Sequence, residues 1–241
     1  DQLKQIKIVD PDRHTNRIMA QMKSDLRLSK EPRHIECFDN SNIQGTNPVA
    51  ACVVFKDGKP SKKDYRHFNI KTVEGPNDFA SMEEAVFRRY RRLLDEDQPL
   101  PQLIIIDGGK GQLGAALKSL EVLGLRGKIA IIGIAKRLEE LFYPGDSIPL
   151  YLDKKSETLK VIQHLRNEAH RFGITFHRNQ RSKNAIDSSL TTIPGIGPKT
   201  MEKLMIQFKS IKRLGEASEA DIVKAVGKAK AQKVIDFFTS S

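Results

Sequence analysis

Tryptophan is absent from the 241 residues of this chain, and cysteine occurs only twice. Without Trp, and with 11 Phe and 4 Tyr, broad surfaces for stacking nucleic-acid bases are not indicated. Cys37 and Cys52 lie in apolar stretches without a CxxC or Cys/His cluster, so we expect buried free thiols rather than zinc ligands. No apolar run is long enough to span a bilayer, and the basic residues are not gathered on one amphipathic helix, so no membrane partner is expected.

Positive charge is in excess. Lys and Arg number 41 against 30 Asp and Glu, which gives a formal net charge of +11. This balance favours a polyanionic partner, nucleic acid first, although an ordinary basic protein would carry a similar charge. The chain starts at Asp1 without a Met or the features of a signal peptide, so we expect a cytoplasmic protein of which this chain is a fragment.

The first part of the chain predicts one helix followed by strands. Apolar residues recur at helical spacing from about Asp12 to Leu28, and Pro32 follows. Strand-like patterns come next, with a strong turn signal at Asp57-Gly58. They predict three antiparallel strands in succession, at His34–Phe38, Val49–Phe55 and Tyr65–Ile70.

Helices and strands alternate in the middle of the chain. Leu103–Ile106 is uniformly apolar, as expected for a central strand covered on both faces. Pro144-Gly145-Asp146 predicts the turn of a small hairpin between Phe142 and Leu152. The other predicted elements are helices at Asp78–Leu94, Gln112–Leu123 and Thr158–Gln180 and a strand at Lys128–Ala135.

This element order predicts an α/β fold. A hairpin unit followed by right-handed crossovers gives a mixed sheet with helices on its faces, in the order of the ribonuclease H-like fold. In that fold the first strand lies beside the strand that follows the first helix. We predict a helical lead-in at 1–31, the ribonuclease H-like domain at 32–183 and a small all-α domain at 187–241, with the boundary between Ser182 and Ser188.

Two aspartates follow apolar strands at places where a ligand site is expected. Asp39 ends the first strand and Asp107 ends the central one, so this fold would bring their carboxylates together at one sheet edge. Adjacent carboxylates repel each other unless a cation compensates, and hard oxygen ligands favour Mg²⁺ or Mn²⁺. Taken singly, each Asp is better explained by a turn. Taken with the fold order, the pair predicts a metal site.

Asp107 opens a glycine-rich segment, Asp107–Gln112. The segment lacks the GxxxxGK[ST] spacing and has no hydroxyl residue after Lys110, so it does not predict a nucleoside triphosphate site. Its glycines would let the backbone approach DNA or a metal closely. Lys110 is a candidate phosphate contact.

Histidines and arginines are concentrated on the long predicted helix. His164 and Glu168 have the i,i+4 spacing of a zinc pair, but HExxH is absent and no third ligand is evident. A basic helix that includes Arg171, with an imidazole directed at two carboxylates, would suit phosphodiester hydrolysis. Such a histidine would ligate the metal or transfer a proton, and the residues alone do not select one histidine.

A phosphate-binding pattern of another kind lies near the end of the chain. Pro194-Gly195-Ile196-Gly197 is a Gly-apolar-Gly turn between predicted helices, whose N–H groups would hold a DNA phosphate without reading bases. This is the helix-hairpin-helix pattern, and Val226-Gly227-Lys228-Ala229 repeats it without the second glycine. A protein-interaction role is the alternative. The predicted DNA contacts here are Gly195, Gly197, Lys199, Gly227 and Lys228.

The ordered set of motifs resembles the carboxyl-terminal half of the UvrC family, the nuclease subunits of bacterial nucleotide excision repair. The resemblance covers nearly the whole chain from about Pro32 onward and includes the helix-hairpin-helix pattern. The other segments that carry it are Ile35–Ser41, Gly75–Met82, Leu103–Gln112 and Arg166–Phe172.

The resemblance implies a ribonuclease H-like endonuclease domain followed by a tandem helix-hairpin-helix domain. It implies that Asp39, Asp107 and His170 form the catalytic, metal-binding triad, with Asp78 as a further acidic position. Asn40 departs from the family pattern, which more usually has a branched apolar residue there.

The function implied by the resemblance is incision on the 5′ side of a lesion, after UvrA and UvrB have located the damage. The expected partners are double-stranded DNA with a lesion or bubble and the UvrB–DNA complex. The family's amino-terminal GIY-YIG nuclease and its UvrB-binding segment are expected to lie outside this chain. The alternatives are a junction-resolving or transposase-like nuclease, which more often presents four carboxylates, and a DNA-binding module without catalysis.

Overall fold

The computed structural model describes the backbone of residues 10–43, 46–73, 75, 77–135, 140–191, 193 and 195–239. Side chains are described for these residues except 11, 41–43, 46–47, 177–191 and 198. The chain forms two compact units, Asp1–Thr175 and Phe176–Ser241. Predictions that concern positions 1–9, Thr192 and Pro194 lie outside the described residues.

The first unit alternates strands and helices much as predicted. A short 3₁₀ turn at Lys62–Asp64 follows the third strand. The long helix continues further than expected, so that the predicted junction from Ser188 is helical up to Thr191. The elements are α1 (Pro11–Asp25), β1 (His34–Ile43), β2 (Thr46–Lys56), β3 (Lys59–Pro60), β4 (Arg66–Asn69), α2 (Asp78–Asp95), β5 (Leu103–Asp107), α3 (Lys110–Val122), β6 (Ala130–Ala135), β7 (Glu140–Phe142) and α4 (Glu157–Thr191), of which the residues up to Thr175 belong to this unit.

The strands form one mixed sheet. Their order is β3-β2-β1-β5-β6-β7, and β4 also pairs with β2. The β1–β2 and β6–β7 pairs are antiparallel, whereas β1–β5 and β5–β6 are parallel. The first strand therefore lies beside the strand after α2, which confirms the predicted fold. Leu103–Ile106 of β5 is fully buried at the centre of the sheet.

Helices cover both faces of the sheet. On one face, the ring of Phe38 lies 6.1 Å from that of Tyr90 in α2. On the other face, Phe55 of β2 meets His164 of α4 edge-on at 4.9 Å. Successive residues of β1 therefore point alternately toward α2 and toward α4. Across the described residues, no helix combines the length and apolar character that crossing a bilayer requires.

A buried ion pair fastens α2 to β1. The fully buried Glu36 carboxylate accepts hydrogen bonds from Nε and Nη2 of Arg89 at 3.1 and 2.6 Å and from the Tyr90 hydroxyl at 3.0 Å. His34 Nε2 lies 3.2 Å from the same carboxylate. Burial alone would raise the pKa of Glu36, but the hydrogen bonds from His34 and Arg89 outweigh it and lower the pKa to about 2. Glu36 therefore stays ionised and paired.

Among the boundaries that differ from the prediction, two lie beside the predicted aspartates. Asp39 was expected at the end of the first strand, but β1 continues to Ile43 and pairs Asn40 with Ala50. The prediction was wrong because the polar residues after Asp39 suggested a loop. Their backbone N–H and C=O groups instead pair with β2, which keeps them in the strand. Similarly, α3 begins at Lys110, two residues earlier than predicted, because Gly109 acts as its N-cap.

The second unit is built from short helices around a small apolar core. Pro198 lies at the start of the first of these helices, where its fixed φ is favourable. The core residues include Ile193, Ile196, Leu204, Leu214, Ile222 and Val234. The helices are α5 (Pro198–Phe208), α6 (Ile211–Gly215), α7 (Glu219–Val226) and α8 (Lys228–Thr239).

Both predicted hairpins are present in this unit. Gly195 and Gly227 have φ values of +86° and +82°, in a region that residues with a Cβ rarely adopt. Gly197 caps the start of α5, and Gly227 lies directly between α7 and α8. The hairpins are connected by a hydrogen bond of 3.1 Å from Lys230 Nζ to Thr200 Oγ1.

We predict that Arg89→Ala lowers the free energy of unfolding by about 3–5 kcal/mol at pH 7, since it leaves the Glu36 carboxylate buried without its cation. The folded-state pKa of Glu36 is depressed, so the stabilisation is complete above the unfolded pKa and declines as pH falls from about 4.5 toward about 2. Urea unfolding across that pH range measures both effects. Arg91→Ala, which removes an exposed pair with Asp95, should cost only about 0.5 kcal/mol, and equal losses would contradict the assignment.

We predict opposite effects of the same substitution at two glycines. Gly195→Ala should destabilise the second unit by about 1–2 kcal/mol, because its φ of +86° disfavours a Cβ. A Cβ there would also come within 2.8 Å of Lys233 Nζ. Gly114→Ala, within α3 and with no atom within 4 Å of the new Cβ, should stabilise by about 0.5–1 kcal/mol. Chemical denaturation of both variants measures the difference, and a stabilising Gly195→Ala would refute the strain.

Candidate active site

Asp39 and Asp107 lie on neighbouring parallel strands. Phe38 pairs with Ile106, so Asp39 and Asp107 are next in register and their side chains leave the same face of the sheet. Both are nearly buried, with 1% and 3% of their surface exposed. Burial, and then the charges of Asp107 and Asp39, raise the pKa of the Cys37 thiol, which lies on the same face. The two carboxylates therefore share one buried environment.

His170 reaches this environment from α4. Its Nδ1 lies 3.0 Å from Oδ2 of Asp39, although the two residues are 131 positions apart in sequence. The Asp39 side chain is 2% exposed, whereas that of His170 is 54% exposed. Because a carboxylate only accepts, Nδ1 carries the proton and Nε2 of a neutral ring keeps its lone pair. The imidazole thus links a buried carboxylate to the surface.

The neighbours of His170 fix α4 to strand β4 and the turn before it. Glu168 accepts a hydrogen bond of 3.1 Å from the Tyr65 hydroxyl and two of 2.7 Å from Arg171. The Arg171 guanidinium, with help from Tyr65, holds the pKa of Glu168 below its ordinary value. Phe172 stacks on His67 with ring centroids 3.7 Å apart. These contacts on either side of His170 hold its backbone in place.

Asp78 is the first residue of α2. The Asn77 side chain caps this helix by accepting a hydrogen bond from Ala80 N–H at 3.1 Å. Asn40 donates a hydrogen bond of 2.7 Å from Nδ2 to the backbone oxygen of Asp78. Asn40 directly follows Asp39, so this bond ties the start of α2 to the site. Asn40 therefore has a structural role, and Asp78, whose backbone it contacts, is exposed.

Lys110 is engaged by its surroundings. Its Nζ donates a hydrogen bond of 2.9 Å to the backbone oxygen of Ser147 and lies 5.0 Å from the centre of the Phe142 ring. The ammonium therefore ties the start of α3 to the small hairpin after β7. Its remaining donors are available to a phosphate, because the residue is exposed.

The donor set suits a hard divalent cation. Among the described residues, no group of three His, Cys, Asp or Glu side chains is placed to hold a metal ion. The structure brings Asp39 and His170 into contact and places Asp107 on the next strand. Two nearly buried carboxylates side by side supply oxygen ligands and an excess of negative charge, which fits Mg²⁺ or Mn²⁺.

Arg166 is a basic residue near the carboxylates whose role the sequence did not single out. It precedes His170 by one helical turn, on the same side of α4. Its positive charge lowers the pKa of the buried Cys37 thiol, against the effect of burial and of the two aspartates. Its i,i+4 spacing to His170 could have identified Arg166 from the sequence. However, Arg166 is one of five basic residues in this region, and their composition alone does not distinguish them.

The predicted contacts of the second unit are all at its surface. Gly195, Gly197, Lys199, Gly227 and Lys228 are exposed. No heavy atom lies within 4 Å of a Cβ built on Gly197, so the start of α5 is open to a ligand. Its first N–H groups point out of the helix, as those of any helix N-terminus do.

Comparison with known protein families assigns both units. Residues 23–174 match the family model described as the UvrC RNAse H endonuclease domain. Residues 187–239 match the model described as a SAM-like helix-hairpin-helix tandem. The first match covers more than half of the chain and includes the predicted triad.

Similar proteins are found in related bacteria. UvrABC system protein C of Flavobacterium johnsoniae is 78% identical over 241 residues, which is all of this chain and 40% of that protein. The protein of the same name from Flavobacterium psychrophilum is 79% identical over 239 residues, covering 99% of this chain and 40% of the relative. That from Christiangramia forsetii is 74% identical over 240 residues, with the same 40% share. The chain thus spans about 40% of the length of the curated relatives it matches, and it belongs to the UvrC family.

Proposed function

We propose that this chain is the metal-dependent endonuclease and DNA-holding part of a nucleotide excision repair nuclease. It hydrolyses a DNA phosphodiester on the 5′ side of a lesion. The observation that carries the proposal is the pair of buried carboxylates, Asp39 and Asp107, on neighbouring parallel strands with His170 in contact with Asp39. Membership of the UvrC family supports the substrate class.

The chain's own residues would divide the work at the reacting phosphate. Asp39 and Asp107 would hold Mg²⁺ or Mn²⁺, which when bound supplies positive charge for the phosphate and acidifies water. Asp39 would accept a hydrogen bond from Nδ1–H of His170, which would leave Nε2 to bind the cation or to accept a proton. Arg166 adds a fixed positive charge one turn away, where negative charge develops during hydrolysis.

Charged residues around this centre would contact the DNA. Asp78 would act as a further acidic group at the rim of the site. Lys110 and Arg171 would meet phosphates through those N–H groups that Ser147 and Glu168 do not occupy. Both side chains are exposed. Each is also oriented by its contact with the protein, so that it would lose less conformational entropy on binding a phosphate.

The second unit would hold duplex DNA through its backbone. The hairpins at Gly195–Gly197 and Gly227 would bind phosphates by N–H groups, with Lys199 and Lys228 adding charge. This mode reads no bases, so recognition of a lesion would require the UvrB–DNA complex as a partner. A bacterial cytoplasmic location belongs to the same proposal.

Asp107→Asn tests the catalytic site. We expect incision of a bubble-containing duplex with Mn²⁺ to fall at least about 10²-fold, since the amide keeps the shape of the side chain but not its charge. Binding of the same DNA should remain within a few-fold of wild type. Nicking assays and fluorescence anisotropy measure the two quantities.

Asp95→Asn is the matched control, because Asp95 is an exposed acid of α2 paired with Arg91. It should leave both incision and binding unchanged. Incision by Asp107→Asn at the wild-type rate would remove Asp107 from the site. A wild-type protein that binds but never cuts with either metal would favour the non-catalytic alternative.

Gly197→Val tests the first hairpin as a DNA-binding element. The space around Gly197 is open, so the second unit should fold normally while the new side chain blocks approach of a phosphate to the start of α5. DNA affinity should fall, and the slope of log K against log salt should decrease by about 0.9 for each phosphate that the variant no longer binds. Lys199→Ala should reduce the slope by a similar step. Unchanged affinity and slope, with an unchanged unfolding midpoint, would assign phosphate binding to the hairpin at Gly227 instead.

A further inference from the structure

Phe79 is an exposed aromatic residue at the start of α2. It has 57% of its surface exposed, although Phe is usually buried. Among the described residues, Tyr151 is the one other aromatic side chain exposed to this extent, at 58%. Covering the exposed part of this ring with a ligand would remove apolar surface from water, which is favourable.

The ring of Phe79 packs against the first turn of α3, which follows Asp107. A Cβ built on Gly111 would come within 2.6 Å of Cε1 and 2.9 Å of Cζ of Phe79. The ring therefore rests against the backbone of Gly111, in space that a side chain at position 111 would fill. One edge is fixed by the protein while the rest of the ring is open to solvent.

Phe79 is close to both chain segments that follow the carboxylates: its ring contacts one, and the backbone of the residue before it is bonded to the other. The residue before it, Asp78, accepts the 2.7 Å hydrogen bond from Asn40, which directly follows Asp39. On its other side, Gly111 lies four residues after Asp107. Phe79 is thus an exposed aromatic ring on the α2 side of the sheet, packed against the start of α3 that follows Asp107.

We propose that Phe79 stacks on a nucleobase next to the phosphodiester that is cut. The proposal rests on the proposed endonuclease function and adds a base contact to it. The ring carries no positive charge to bind a phosphate, whereas an uncharged base presents a flat surface that suits the ring. Stacking is tolerant of sequence, as an enzyme that acts on damage in any sequence requires.

Photo-crosslinking of 5-iodouracil detects such stacking directly. The base is placed singly at successive positions on either side of the incised bond, both in the unpaired bubble and in the flanking duplex. Asp107→Asn protein keeps the DNA uncut. We expect a crosslink mapped by mass spectrometry to Phe79 for a base adjoining the bond, and the position of the strongest crosslink distinguishes an unpaired base from a paired one.

Kinetics of variants separate stacking from a structural role. Phe79→Leu keeps an apolar contact with Gly111 but loses the aromatic face, so KM for incision should rise roughly 5- to 50-fold with kcat within about twofold. Phe79→Trp should restore KM and the crosslink. Tyr151→Leu, the matched exposed aromatic, should change neither. The unfolding midpoint of Phe79→Leu should stay near that of wild type.

Three results would overturn the proposal. They are an unchanged KM for Phe79→Leu, no crosslink at residue 79 from any position, or a loss of kcat that Phe79→Trp does not restore. The first two together would indicate that the ring contacts another protein instead. Wild-type protein that fails to cut DNA would refute the proposed function separately, since the crosslink is scored without incision.

Discussion

The in-register parallel pairing of β1 with β5 is the constraint on which the candidate site depends. Because Phe38 pairs with Ile106, the side chains of Asp39 and Asp107 project from the same face of the sheet, on strands roughly 4.8 Å apart. A shift of one residue would send one carboxylate to the opposite face. The fully buried Leu103–Ile106 run places β5 at the centre of the sheet beside β1, so the apolar core and the placement of the acids depend on the same strand pairing.

Strand β1 carries two buried acids with different surroundings. Glu36 faces α2, where Arg89 and Tyr90 satisfy its carboxylate and the hydrogen bonds hold its pKa near 2. Asp39 faces α4, where it contacts a half-exposed imidazole and lies beside a second carboxylate. In the first arrangement the charge of Glu36 is balanced by that of Arg89, and the pair stabilises the fold. The second gathers negative charge next to an imidazole that is half exposed to solvent, which suits a site for a cation and a phosphate.

Local pattern was sufficient for the parts of this site that are built within single strands. The uniform apolar run predicted β5 and the position of Asp107, and element order predicted its neighbour. Local pattern did not predict the end of β1, because the polar residues after Asp39 stay in this strand through their pairing with β2. His170 could be selected only through the family resemblance, since its contact with Asp39 spans 131 residues. The Asn40–Asp78 bond, across 38 residues, left no periodic signal at all.

The low aromatic content of the chain does not favour broad base-stacking surfaces. For a single stacking contact, however, the position of one ring matters more than the number of rings. Helix-hairpin-helix turns bind phosphates through N–H groups, and buried carboxylates recognise a cation, so neither senses the bases. A nuclease built from these two parts alone would position the sugar-phosphate backbone without defining which nucleotide lies at the bond. A base stacked on Phe79, whose ring packs against Gly111 four residues after Asp107, adds that definition. The glycine at position 111 is then explained by the ring rather than by a nucleotide-binding loop.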